Sequence, residues 1–182
     1  MRKISGIGAS GGISCGPAFQ YRSVELPSEL GTAEDTQVEK ERLLAAISLA
    51  QEQLDALFRK TEKESGAEYA AIFQAQKMML EDPEMLDEVL KKIELEKMSA
   101  EAAFQEVVRN YVQLLGDMTD GYFAERAGDI KDAGDRVLRN LLGVEGSPAD
   151  QLRSSSIILA EDLAPSETVE LDKELVLGFC IA

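Results

Sequence analysis

The apolar positions divide the chain into a long middle with one period and two ends with another. Between about residues 33 and 142 they recur every three or four residues, as on a helix that buries one face. Leu43, Ile47, Ala50, Leu54 and Leu57 form one stripe, which Gly66 ends or weakens. Ile72, Phe73, Gln76, Met79 and Leu80 form a second. It breaks at Asp82-Pro83, where Asp82 suits an N-cap and Pro83 the first helical position, and Met85, Leu86, Val89, Leu90 and Ile93 continue the pattern to about Lys97. Ser99 is placed to cap a third long helix with Ala103, Val107, Tyr111 and Leu114 turned inward and Gly116 as its stop. A fourth runs from about Thr119 through Phe123, Ala127, Ile130, Val137 and Leu141, with Gly143 as C-cap. Four long segments with short connections predict an antiparallel bundle.

At the two ends the apolar residues run together instead. Residues 3–9 and 17–21 predict short strands around a turn, and Ser156–Ala160 and residues 175–181 read as buried strands. Pro165 opens a short helix over residues 165–171, and residues 145–151 are a linker. The expected fold class is α+β, mainly α: an antiparallel four-helix-type bundle over residues 32–143, inserted into a small α/β unit made of residues 1–24 and 148–182. Functional groups of α/β units tend to follow the carboxyl ends of strands. The last apolar run meets the end of the sequence at that point, so the α/β unit is expected to be incomplete.

Composition narrows the chemistry. The 182 residues carry 34 acidic and 19 basic side chains, a net charge of −15, which speaks against a nucleic-acid partner. There is no histidine, so Ser-His or Cys-His nucleophile pairs, His-ligated metal and imidazole acid–base work are all excluded. No apolar run suits membrane insertion and the positive start lacks the apolar segment of a signal peptide, so a cytoplasmic setting is expected. Cys15 and Cys180 are expected to be buried free thiols.

Four short stretches remain. Residues 6–11 (GIGASG) fit a dinucleotide glycine pattern, but Gly12, Gly16 and Pro17 follow too soon for the helix that pattern needs, and the stretch reads as a turn. Met78, Met79 and Ile72 suit a core, yet Gln76, Lys77 and Met78 sit beside Glu81, Asp82 and Glu84, and an apolar patch with an acidic rim also suits docking. Asp129, Asp132 and Asp135, with Glu125, interleave with Arg126, Lys131 and Arg136, which favours intrahelical ion pairs over metal. Ser166, Glu167 and Thr168 read as capping residues beside the strand that ends the chain.

Taken together, SGIGASGGISCGPAF (5–19), AIFQAQKMMLEDPEM (71–85), ERAGDIKDAGDRVLRNLLG (125–143) and EDLAPSET (161–168) resemble Enzyme I of the bacterial phosphotransferase system, the phosphoenolpyruvate-protein phosphotransferases. The resemblance implies a helical bundle that docks the small carrier HPr, inserted in an α/β phosphohistidine domain. A histidine there moves phosphate from phosphoenolpyruvate to HPr, and a C-terminal domain binds phosphoenolpyruvate and magnesium. The histidine motif would follow the strand matched by VLGF (176–179), so the chain is expected to be a truncated N-terminal part that keeps docking and loses the phosphoacceptor. Thr168 matches a threonine that orients the histidine. The docking face would comprise Glu68, Ile72, Gln76, Met78, Met79, Asp82, Glu84, Leu115 and Arg126, with no metal and no cofactor in this part. Two departures stand out: Gln76 replaces a common second histidine and Gly11 a common proline. The alternatives are a non-catalytic Enzyme I-like regulatory adaptor, or an Enzyme I-like part of a dihydroxyacetone kinase or nitrogen-related phosphotransfer protein.

Overall fold

A computed structural model describes residues 6–22, 31–118, 121–144 and 146–182. Expectations for residues 3–5, 23–24, Thr119 and Glu145, and for the side chains of Phe123 and Glu125, lie outside the described residues.

Helix α1 spans Thr36–Ser65, its first turn capped by Asp35, whose Oδ1 accepts the Gln37 amide at 2.8 Å. Gly66, at φ 103°, is the single residue between α1 and α2 (Ala67–Leu80). That left-handed φ suits glycine and lets the chain reverse without strain. Lys77 and Asp55, equally far from Gly66, meet at 2.7 Å, so the two helices pack antiparallel.

The Asp82-Pro83 break is complete, and the second apolar segment becomes two helices. Asp82 Oδ1 accepts the amides of Glu84 (2.8 Å) and Met85 (3.1 Å) and starts α3, Pro83–Glu96. After α4 (Ala100–Gly116) comes α5 (Gly121–Leu141). Gly143 ends α5 at φ 63°, and the Val144 amide closes back on Arg139 O at 3.0 Å. The expected bundle of four segments is thus five helices.

The bundle core is continuous from Leu43, Ala50 and Leu54 on α1 to Phe73 on α2, Val89 and Ile93 on α3, Phe104 and Val107 on α4 and Val137 on α5. Leu114 does not join it and is 61% exposed. Tyr111 and Val112 are the last α4 side chains packed against the core, which ends before the helix does.

The ends of the chain meet in one parallel sheet of order β1-β2-β3, with β1 Ala18–Gln20, β2 Ser156–Ala160 and β3 Val176–Ile181. Phe19, Ile158 and Phe179 lie in register across it. Helix α6, Pro165–Glu170, lies between β2 and β3 in the chain. A second, smaller core holds Tyr21, Leu152, Ile158, Ala160 and Leu171. Residues 6–9 form no strand, and Ile7 is fully exposed, because a glycine-rich segment there finds no apolar partner. Strand β3 is half open rather than buried: it lies at one edge of the sheet, with Phe179 at 49% and Ile181 at 52% exposure. For the same reason Cys180 is exposed, and Cys15 lies exposed in the open segment before β1, against the expectation of buried thiols.

Phe104→Ala empties a fully buried site and is expected to cost about 3–5 kcal/mol in urea unfolding. Phe179→Ala, on the open strand, is expected to cost less than about 1 kcal/mol. Equal losses would contradict the placement of the principal core in the bundle.

Candidate functional site

The α2–α3 junction gathers an exposed methionine and a set of carboxylates. Gly66 and the Asp82-Pro83 break set the length of α2, and the turn after Leu80 carries Glu81, Asp82 and Glu84 into solvent. Met78 is 65% exposed, Ile72 and Met79 are half-buried, and Glu68 lies open on the first turn of α2. Tyr111 on α4 feels the same corner. Burial raises its hydroxyl pKa above the usual value, and the charges of Glu88, Asp82 and Glu84 push it further. Leu115, one turn on, is half-buried. Arg126, on α5, donates to Asp129 at 3.2 Å. Of the expected docking residues, Met78, Met79, Asp82 and Glu84 thus lie at the α2–α3 junction, and Glu68 lies at the opposite end of α2. Asp82 has a second duty there, because its carboxylate also caps α3.

Gln76 is the exception. It is fully buried, so it offers nothing to a partner at this surface. Its Nε2 donates to Asp132 Oδ2 at 3.0 Å, because α2 turns that face toward α5.

The three aspartates of α5 separate into different roles. Asp129 pairs with Arg126 and Asp135 with Lys131 (3.6 Å), as their spacing predicts. Asp132 makes no ion pair among the described residues. It accepts from Gln76, from the Ser166 amide at 3.1 Å and from Ser166 Oγ at 2.5 Å. Arg136 also departs from the expected intrahelical pairing and reaches Glu170 of α6 at 2.7 Å. No group of three or more metal-ligating side chains occurs among the described residues.

Helix α6 presents Thr168 to solvent, with its hydroxyl donating to Ala164 O at 3.1 Å. The oxygen keeps its lone pairs for an outside donor. Of the expected caps, Glu167 Oε2 accepts the Ala164 amide at 2.9 Å, while Ser166 is fully buried and turned to Asp132. Lys60 Nζ donates to Val169 O at 2.6 Å, and Lys173 pairs with Glu64 at 2.6 Å, so α6 and the turn after it rest on the end of α1. A cleft of about 390 Å³ runs along this seam, lined by Gln53, Lys60, Arg136, Arg139, Ser147 and Glu170, and shares no residue with the acidic corner.

A mainly α chain whose bundle is inserted in sequence between the first two strands of a small parallel sheet, with a threonine turn seated on the bundle, is a domain of the Enzyme I N-terminal class. A solution structure of an Enzyme I protein matches it with a TM-score of 0.77 at 34% identity, over 94% of this chain and 70% of that one. The N-terminal domain of a nitrogen Enzyme 1 shares the fold, with a TM-score of 0.67 at 23% identity over 91% of this chain and 68% of that one.

Residues 5–126 match the family described as PEP-utilising enzyme, N-terminal, and the chain belongs to that family. The phosphoenolpyruvate-protein phosphotransferase of Geobacillus stearothermophilus is 38% identical over 178 residues, covering 98% of this chain and 31% of that protein. That of Bacillus subtilis (strain 168) is 37% identical over 179 residues, with the same coverage of 98% and 31%. The chain thus spans under a third of the length of these relatives.

The seam is expected to loosen in acid. The hydrogen bond from Lys173 holds the Glu64 carboxyl below its ordinary value of 4.5. A lowered carboxylate contributes stability that is present above 4.5 and is lost as pH falls through the folded value. Amide exchange over residues 172–175, followed from about pH 6 to about pH 3 and corrected for intrinsic exchange, should rise in that window. Added salt should have the same effect, since the pair is exposed. Glu64→Gln should remove the pH dependence, and an unchanged profile in that variant would assign the loosening to another group.

Proposed function

We propose that this chain is the N-terminal part of a phosphoenolpyruvate-protein phosphotransferase, an enzyme that moves phosphate from phosphoenolpyruvate through a histidine to an HPr-like carrier. Residues 32–143 form its carrier-docking unit. Residues 1–24 and 148–182 belong to the α/β unit that serves the phosphohistidine, in a cytoplasmic setting. Among the described residues no helix is long and apolar enough to cross a membrane.

The observation that carries the reading is Met78, 65% exposed in the last turn of α2 beside the acidic residues Glu81, Asp82 and Glu84 of the α2–α3 junction. A carrier with an apolar centre and a basic rim complements it in shape and charge, with an on-rate that falls as salt rises. Ile72 and Met79, half-buried on α2, would extend the apolar strip, and the family resemblance adds Glu68, Leu115 and Arg126 to the docking set. Gln76 supports the face from inside.

The Thr168 hydroxyl oxygen is available to accept from an imidazole N–H, which would orient the ring. These 182 residues include no histidine, so they hold no phosphohistidine themselves. The family resemblance puts magnesium on the C-terminal domain of the parent enzyme, and Asp129 and Asp135 of α5 pair with Arg126 and Lys131.

Titration of HPr into isotope-labelled protein tests the reading. Signals of Met78, Met79, Glu84 and Leu115 should shift, and Met78→Lys should weaken binding by about 2 kcal/mol, roughly thirtyfold. Glu62→Gln, on α1, should bind normally. Shifts confined to the sheet, with Met78→Lys unaffected, would overturn the assignment. Neither labelled phosphoenolpyruvate nor phosphorylated HPr should leave acid-labile phosphate on this chain.

A further inference from the structure

We propose that Asp132 is a positioning residue, one that seats Thr168 on the far side of the docking helix and couples the two. This rests on the docking reading above.

Three features carry it. Asp132 is 5% exposed, while Gln76 and Ser166 are fully buried. A carboxylate removed from water to that degree is costly unless donors replace the lost hydration. Asp132 has three: Gln76 Nε2, the Ser166 amide and the Ser166 hydroxyl, at 3.0, 3.1 and 2.5 Å. They come from α2 and α6, so one side chain of α5 joins three elements.

Second, α6 caps itself only in part: Glu167 accepts the Ala164 amide, and the Ser166 amide has no acceptor within α6. Its N-cap is Ala164, which has no side-chain acceptor for the free amides of the first turn. Asp132 supplies that acceptor from a different helix. Thr168 lies two residues beyond Ser166 in a helix of six residues, so seating Ser166 seats Thr168.

Third, the other end of the tie is the docking helix. Gln76 lies between Ile72 and Met79, two residues from exposed Met78, and its Oε1 has no partner among the described residues. Gln76 is therefore held by its contact with Asp132 and not by a wider network. Arg136–Glu170 and Lys60–Val169 O hold the far end of α6, so loss of Asp132 frees the Thr168 turn without detaching the helix.

The experiment compares Asp132→Ala and Gln76→Leu with the parent chain, by amide exchange alone and by titration with HPr. In Asp132→Ala the Thr168 and Leu171 amides, which close α6, should exchange at least tenfold faster while the Ile93 amide keeps its rate. In the parent chain, HPr should shift both the Met78 corner and the Thr168 amide. In Asp132→Ala the corner should still shift, with affinity within about twofold, and the Thr168 response should disappear. Gln76→Leu leaves the Ser166 cap in place, so α6 exchange should stay slow while the Thr168 response is lost. Corner shifts with an undiminished Thr168 response in both variants would overturn the coupling. Unchanged α6 exchange in Asp132→Ala would overturn the seating. Absence of any shift at the corner in the parent chain would instead sink the docking reading and leave the exchange result to decide the seating alone.

Discussion

Everything outside the bundle leans on the packing inside it. The bundle core joins Leu43, Leu54, Phe73, Ile93, Phe104 and Val137 across five helices, whereas among the described residues the sheet's own core is a smaller cluster that includes Tyr21, Ile158 and Leu171. A core that small does not offset the entropy of ordering three strands and a short helix. The sheet unit gains what it lacks by resting on α1 and α5 through Ser166, Val169, Glu170 and Lys173. Val169 also packs directly against the bundle core.

The polar part of that seam differs in kind from the surface charge pairs. Lys91–Asp87 is an exposed pair within one helix and contributes little to stability. Asp132 and Arg136 are nearly buried, and each finds a partner on α6. Removing one partner of a buried group strands the other in a medium that does not solvate it. The seam is therefore directional, and it sets where the turn of Thr168 stands relative to the helix that carries Met78.

Charge works differently at the acidic corner. Asp82 serves the fold as the cap of α3 and serves the surface as part of the rim. Glu68 and Glu84 are exposed in the first turns of α2 and α3, where the helix dipole favours carboxylates, so an acidic face costs the bundle little. A chain of net charge −15 spreads negative potential widely. Where Met78 interrupts it, with half-buried Ile72 and Met79 beside it, the surface gains an apolar surface as well as sign.

The chain's local chemistry was legible from the residues alone. The stripes of α1 and α5, the Asp82-Pro83 break, the Gly143 cap and the strand at Ser156–Ala160 all follow from periodicity and backbone preference, which act over a few residues. So did the acidic corner, because the turn after Leu80 exposes whatever it carries. What the tertiary structure alone decided are the partners of side chains far apart in sequence. Gln76 is 56 residues from Asp132, and Ser166 is 34 from it. No local pattern marks a glutamine on α2 as buried, nor an aspartate in a row of ion-paired aspartates as the cap of another helix. The exposure of Leu114, Phe179 and Cys180 was hidden for the same reason. An apolar residue at the right period is buried only if another element arrives to cover it, and that depends on where the whole chain goes.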